Sequence, residues 1–196
     1  SATRGAHVFA WREAGPATYR ALVGDTLAPP LWEVRFARFD GDVAERAEEW
    51  RVSVTGGGAI RQVVHRVPEG RAGAALEQDA ALALAQRALR EVLDAEPALL
   101  LLRSADATQQ PARRDWSFTF ADPRVAVTGG GEARVQVNVA GDEVVGVGRF
   151  LFVPEAWQRI EAQTQGRHEV LGIGAGLLIA LATVGALVFA VIAWNR

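Results

Sequence analysis

The chain contains 196 residues with a formal net charge of −2, and 49% of its residues are hydrophobic. This composition is sufficient for one or two small domains with an apolar core, and the near-zero charge gives no indication of a nucleic-acid partner. Cysteine and lysine do not occur in the sequence, which excludes disulfides, thiolate metal sites, cysteine nucleophiles and phosphate loops of the Walker type.

The N-terminal segment, residues 1–20, contains no apolar run, because Arg4, Arg12 and Glu13 interrupt it. It therefore lacks the pattern of a signal peptide, and we expect Ser1 to mark a processing boundary. We predict that Ala6–Ala14 forms a short, truncated helix before the first strands.

Alternation of polar and apolar residues predicts the next elements to be strands. Trp32, Val34 and Phe36 would share one face, which implies a sheet with one covered side and one wet side. The predicted strands are Trp32–Phe39, Arg51–Val54 and Ala59–Val67, the last two joined by a turn at Gly56–Gly58.

A strong helical period follows at Leu76–Leu93, and Pro97 lies beyond its end as a stop signal. Period-two segments then resume, with a hairpin turn at Ala140–Glu143. The apolar stripe of the helix consists of Leu82, Ala85, Leu89 and Val92, and the later predicted strands are Trp116–Phe120, Ala133–Val139 and Val144–Val153.

An internal repeat relates Ala14–Glu69 to Ala95–Glu155, with four landmarks in the same order at an offset of about 84 to 86 residues. We therefore predict an α+β fold of two repeated helix-plus-antiparallel-sheet units, at residues 1–70 and 71–153. The aromatic landmarks Trp32 and Trp116 are predicted to pack between helix and sheet. The matched segments are Trp32–Phe36 with Trp116–Phe120, Arg51–Val54 with Gln136–Val139, Gly56-Gly57 with Gly141-Asp142, and Val67–Glu69 with Val153–Glu155.

The C-terminal part is predicted to enter a membrane. Residues 154–169 should form a juxtamembrane helix, because Pro154 suits a first helical turn. The segment Val170–Trp194 has no charged residue and would extend roughly 37 Å as a helix, enough for a hydrocarbon core of about 30 Å. We predict a single transmembrane helix there, with the lipid bilayer as its partner, while the flanking charges leave its orientation open.

Small residues at the start of this segment are candidates for helix packing. Gly172 and Gly176 form a small-xxx-small pair and Ala180 continues it, which would let another membrane helix approach closely. The ordinary abundance of Gly and Ala in membrane helices is an equally open interpretation. The end of the chain after this segment suggests either a longer parent protein or a tail anchor.

Three segments of the chain, together with the duplicated unit, carry a resemblance to known proteins. They are Arg113–Phe120, Gly141–Val144 and Phe152–Trp157, the last leading to the apolar helix. With these segments the chain resembles the N-terminal region of certain bacterial CPBP-family (CAAX protease and bacteriocin-processing) intramembrane proteases. The units themselves resemble PepSY-type domains, and the similarity extends from about Ala17 to Trp194. The resemblance implies that the soluble part faces outside the cytoplasm and that the catalytic residues lie in later membrane helices.

The family's catalytic motif, Glu-Glu-x-x-x-Arg, is not matched in this chain. The pair Glu48-Glu49 has Ser53 where the motif has Arg, and we interpret the pair as a solvated charge cluster. His7, His65 and His168 are scattered, and His168 has Gly172 where a zinc-protease motif requires a second ligand. We predict no catalytic, cofactor-binding or metal-binding residue in this segment.

Three functions remain open. The first is a non-catalytic region of an intramembrane protease, together with its first following span, that regulates or shapes substrate access. The second is a stand-alone tethered PepSY-like module that senses or inhibits an envelope partner. The third is a structural envelope protein whose membrane helices pair. Each interpretation makes the chain an integral protein of the bacterial plasma membrane and leaves the protein partner unknown.

Overall fold

The computed structural model describes residues 2–27, 31–37, 48–58 and 60–164. Residues 1–153 form one compact unit and residues 154–196 form a second. The transmembrane helix predicted at Val170–Trp194 lies outside the described residues, as do Gly172, Gly176 and Ala180. Among the helices that are described, none has the length and apolarity that crossing a membrane requires.

The first unit has an α+β fold, as predicted, in which helices precede and interrupt the strands of one antiparallel sheet. In the second unit, residues 155–164 are helical. The helices of the first unit are α1 (Ala2–Phe9), α2 (Gly15–Leu22) and α3 (Gln78–Leu93), with a π-helical turn at Ala10–Ala14 and a 3-10 turn at Pro97–Leu99. The strands are β1 (Leu31–Ala37), β2 (Glu49–Thr55), β3 (Ile60–Arg66), β4 (Leu101–Gln110), β5 (Arg113–Ala121), β6 (Glu132–Ala140) and β7 (Glu143–Phe152).

The sheet has the strand order β1-β2-β3-β7-β6-β5-β4. Strands β1–β3 form a first half-sheet and β4–β7 a second half-sheet, and the two join where β3 pairs with β7 at Gln62–Val64. The predicted turns are confirmed, because Gly56–Gly58 and Gly141-Asp142 lie between paired neighbouring strands. In the second turn Gly141 has φ 64, a conformation that glycine adopts without a steric penalty.

Helix α3 covers one face of the second half-sheet, and this contact forms the main core. Its alanines let the helix axis approach the sheet closely, opposite the large side chains of Phe118 and Phe120. Phe118 is completely buried, which alone contributes about 1.5–3 kcal/mol of hydrophobic free energy. The Trp116 indole N–H donates to the Leu76 carbonyl oxygen at 2.9 Å and so fixes the start of the helical segment. The helix residues of this core are Ala81, Ala85, Ala88 and Leu89.

Two elements differ from the sequence prediction. Strand β4 was not predicted, because a bulge between Leu102 and Ser104 interrupts the period-two pattern that reveals strands. The N-terminal helical segment is longer than Ala6–Ala14, since it resumes after Gly15 with Pro16 in its first turn, where proline's missing N–H costs nothing.

The N-terminal helical segment is held at the loop between β5 and β6. Phe9 is fully buried, and a Cβ placed on Gly131 would lie only 2.5 Å from its ring. Gly129 and Gly130 of this loop have positive φ angles, whereas Gly131 is required by close packing rather than by backbone conformation.

Candidate functional site

The helix-side face of the sheet is covered over its second half and exposed over its first half. Trp32 is 74% exposed and Phe36 60% exposed, whereas Trp116 is 9% exposed and Phe120 3%. The prediction that Trp32 packs between helix and sheet is therefore wrong, while the same prediction for Trp116 is confirmed. We call the exposed side chains the open face; they are Trp32, Val34, Phe36, Trp50 and Ile60.

The open face continues the surface on which α3 lies. Cross-strand partners share a face of a sheet, and the chain of partners runs from Val34 to Val52, then through Val63, Val147 and Val137 to Phe118. Clustered, well-aligned apolar side chains of this kind mark interaction surfaces in monomeric proteins. The half-sheets thus share one apolar surface, of which α3 covers a single half.

A groove of about 350 Å³ separates α3 from the open face. Trp50 and Val63 line it from the sheet, and Leu84, Ala88 and Val92 line it from the helix. Charged side chains, including Arg87 and Glu91, lie along the same groove. An apolar floor with charged residues beside it is suited to an amphipathic ligand rather than to a small polar substrate.

A polar cluster closes one end of the open face around His65, which is 4% exposed. Its Nδ1 lies 2.6 Å from Glu143 Oε1 and its Nε2 lies 3.1 Å from Glu48 Oε1. The imidazole also stacks on Trp50 with a centroid separation of 3.7 Å. Arg71 completes the cluster, 3.2 Å from Glu48 and 3.7 Å from Glu143.

The contacts of this cluster stabilise the fold by connecting segments that are distant in sequence. Each imidazole nitrogen of His65 lies within hydrogen-bond distance of a carboxylate, and the Arg71 guanidinium lies beside both carboxylates. These contacts connect β3 and β7 with the residue that precedes β2. Within the described ranges, three or more His, Asp or Glu side chains do not come together in a way that could hold a metal ion.

The opposite, polar face holds a buried carboxylate, Glu49, which is 6% exposed. Arg35 Nε donates to it at 2.7 Å and Arg51 also donates to it. The hydrogen bond from Arg35 lowers the pKa of the Glu49 carboxyl below its ordinary value of 4.5, burial opposes this effect, and Arg51 adds to the lowering. The interpretation of Glu48-Glu49 as a solvated cluster is wrong for Glu49, which is buried, whereas the Glu48 side chain is 30% exposed. The two carboxylates contact cationic partners on opposite faces of the sheet.

Replacing Glu49 by Gln is expected to weaken the acid sensitivity of the fold. A carboxyl whose pKa is lowered by folding stabilises the protein above its ordinary pKa and loses that contribution as pH falls further. The stability gap between wild type and Glu49→Gln should therefore be fully present at pH 7 and narrow below about pH 4.5. Urea denaturation from pH 7 to pH 3 measures it, with Glu91→Gln on exposed α3 as control; a gap that stays constant with pH would contradict the prediction.

Sequence reasoning missed the His65 cluster and the open face. His65 and Glu143 are 78 positions apart, and only the pairing of β3 with β7 brings them together. One signal was available, since Glu143 is the last residue of the predicted hairpin turn and directly precedes a predicted strand. The predicted helix-packing residues Gly172, Gly176 and Ala180 lie outside the part of the chain that is described.

Fold and site together define an α+β protein with a single antiparallel sheet, half covered by a helix and half open. No family model, curated protein or solved structure matches the chain.

Proposed function

We propose that this chain is a non-catalytic, membrane-tethered interaction module that binds an amphipathic helix on its open face. The main support for this proposal is that five large apolar side chains of the first half-sheet are exposed, on the same face of the sheet that α3 covers in the second half-sheet. The chain therefore already contains one example of this binding mode, in which α3 packs on the second half-sheet. A helix bound in the same way would place small and leucine side chains over Val34 and Val52.

The strand register supports the proposed duplication on which this argument draws. Trp32 pairs with Val54 in the first half-sheet, and Trp116 pairs with Val139 in the second. Phe36 pairs with Trp50, and Phe120 pairs with Val135. The first comparison relates residues that the sequence repeat aligns, and the second continues the same register to Trp50 and Val135, one position before the aligned segments. Because α3 packs on the second half-sheet, we expect a similar helix to be a suitable ligand for the first half-sheet.

The larger context of this module follows from the resemblance and is part of the proposal. We propose that the module is the extracytoplasmic N-terminal region of a CPBP-family intramembrane protease, tethered by Val170–Trp194, where it regulates access of substrate helices. The alternatives are a stand-alone PepSY-like sensor or inhibitor and a structural envelope protein. The reading frame after Arg196 tests this part: further spans with Glu-Glu-x-x-x-Arg and histidine support the protease, and a stop codon contradicts it.

A synthetic peptide of residues 76–93 provides a defined probe for helix binding, because it has the sequence of α3. We expect it to bind the full chain in lipid nanodiscs with a dissociation constant of roughly 10–100 µM, since a short helix must fold as it binds. Ile60→Asp should weaken binding at least tenfold, because the carboxylate would lose water against the apolar peptide. Fluorescence anisotropy of the labelled peptide measures both.

The matched control is Leu101→Asp, which changes a residue of similar exposure on β4 at the opposite edge of the sheet. Ile60 is 57% exposed and Leu101 48%, so neither substitution should prevent folding. Binding that is absent, or that responds equally to the two substitutions, would overturn the proposed helix site.

A further inference from the structure

We propose that two copies of this chain associate edge to edge through β1, antiparallel, with Val34 of one copy opposite Val34 of the other. The proposal does not require helix binding, since it concerns the outer hydrogen-bonding edge of β1, although the side chains of Trp32, Val34 and Phe36 on this strand also belong to the open face. The partner it commits to is a second copy of the same chain. Association would join the two open faces into one apolar floor.

Strand β1 is the edge strand of the sheet in the described part of the chain. In the strand order it stands at one end, and within the described residues it pairs on one side only, with β2. An exposed edge is a template for another strand unless a bulge, proline or inward charge disrupts it. The opposite edge, β4, has a bulge at Leu102/Ser104, whereas the β1 ladder runs without a register shift from Leu31 to Ala37.

The sequence of β1 is complementary to itself. In an antiparallel pair centred on Val34, Trp32 lies opposite the second copy's Phe36, and Glu33 lies opposite its Arg35. The aromatic pairs fall on the open face, and the two ion pairs fall on the polar face. Both kinds of cross-strand pair are stabilising, each by about 0.2–1 kcal/mol.

Charge also selects this register over its neighbours. A shift by two residues in one direction places Glu33 opposite the second copy's Glu33, and the opposite shift places Arg35 opposite Arg35, so each meets a like charge. A shift by one residue places charged side chains among the aromatic ones. Arg35 stays 55% exposed at its side chain while it binds Glu49, so it has donors available for a further carboxylate.

The arrangement is a two-fold symmetric contact, the commonest form of association between identical chains. It has an internal precedent, because the centre of the sheet is itself an antiparallel pair in which Val63 faces Val147. The apolar floor formed by two copies would extend without interruption from β3 of one chain to β3 of the other.

Cysteine cross-linking tests the proposal directly, because the chain has no cysteine. Opposite residues in an antiparallel pair have Cα atoms about 4.5–5.5 Å apart, which is within disulfide range. Val34→Cys in the full chain, reconstituted in liposomes at a high lipid-to-protein ratio, should oxidise mostly to a covalent dimer on a non-reducing gel. Leu101→Cys, exposed on the bulged edge, should remain monomeric.

Register and charge provide the second measurement. Trp32→Cys mixed with Phe36→Cys should cross-link, while each alone should not, because identical positions away from the axis lie four residues apart in the proposed register, roughly 13 Å. Glu33→Arg, on the exposed polar face, should weaken association at least tenfold in sedimentation of the detergent-solubilised chain, since two arginines would meet. The cysteine variants change residues of the open face, but Glu33→Arg leaves all five open-face residues intact, so peptide binding measured on that variant tests helix binding separately from association.

Equal cross-linking of Val34→Cys and Leu101→Cys would overturn the proposal, as would a monomer at all concentrations or a dimer that Glu33→Arg does not weaken. Brominated lipid quenches the fluorescence of tryptophans that touch the bilayer, among which Trp194 of the predicted span is expected in every variant. If Trp32→Phe removed a further part of this quenching and Val34→Cys gave no cross-link, β1 would be assigned to the bilayer surface and the proposal would be overturned.

Discussion

Arg113→Met is expected to lower the free energy of unfolding of the full chain by about 3–5 kcal/mol, the cost of breaking a buried ion pair. The Arg113 side chain is 4% exposed and donates to both carboxylate oxygens of Asp115, at 2.7 and 3.2 Å. Its remaining donor reaches the carbonyl oxygens of Pro68 and Arg71, each at 2.8 Å. Methionine fills similar volume but leaves these acceptors without the guanidinium.

The effect should exceed that of an ordinary arginine substitution because of where Arg113 lies. It ties the segment that leaves the first half-sheet to β5 of the second half-sheet, and Asp115 also accepts from the Gly141 backbone N–H. Arg87→Met is the control, since Arg87 forms an exposed pair with Glu91 at 3.9 Å that contributes about 0.3–0.5 kcal/mol. Equal denaturation midpoints for the two variants would show that the Arg113 contacts add no stability.

His65→Ala is expected to cost about 2–3 kcal/mol. The substitution removes a stacked ring from Trp50, worth about 0.5–1.5 kcal/mol, and two charge-assisted hydrogen bonds. Partial exposure of Glu48 and Glu143, 30% and 38% at their side chains, limits the penalty, because water can reach the carboxylates once the ring is gone.

A double-mutant cycle separates the hydrogen bond from the stacking. Glu143→Gln is combined with His65→Ala, and urea denaturation of the four proteins gives the coupling free energy. We expect about 1 kcal/mol or more, as for residues in one charged network. A coupling within about 0.3 kcal/mol of zero would mean that His65 stabilises the fold through Trp50 alone.

The sequence predicted the burial of strand side chains correctly where a helix covers the apolar face that the alternating pattern indicates. Trp116 alternates with polar residues along its strand and packs in the core beside α3, so the prediction made from periodicity and the repeat is confirmed. Trp32 has the same pattern and the same position in the repeat, yet it is exposed. Alternation identifies which side chains share a face of the sheet. It does not show whether a helix covers that face, because the helix comes from elsewhere in the chain or from a partner.

The polar contacts escaped prediction for a related reason. Glu49 carries two arginine partners because β1 and β2 align Arg35 beside it, and His65 reaches Glu143 only across the centre of the sheet. These pairs cannot be predicted from residue types and spacing along the chain, because they depend on which strands lie side by side. The bulge of β4 hid a strand in the same way, by breaking the one pattern that reveals strands.

The junction between the half-sheets affects where the molecule is expected to unfold first. Strand β7 pairs with β6 over nine residues and with β3 over only three, so the ladder is narrow at its middle. Cooperative opening follows the regions of fewest supporting contacts. Thermal fluctuations should thus release β1–β3 as one piece while β4–β7 and their helix keep their structure, which makes the sheet a hinged pair of subdomains.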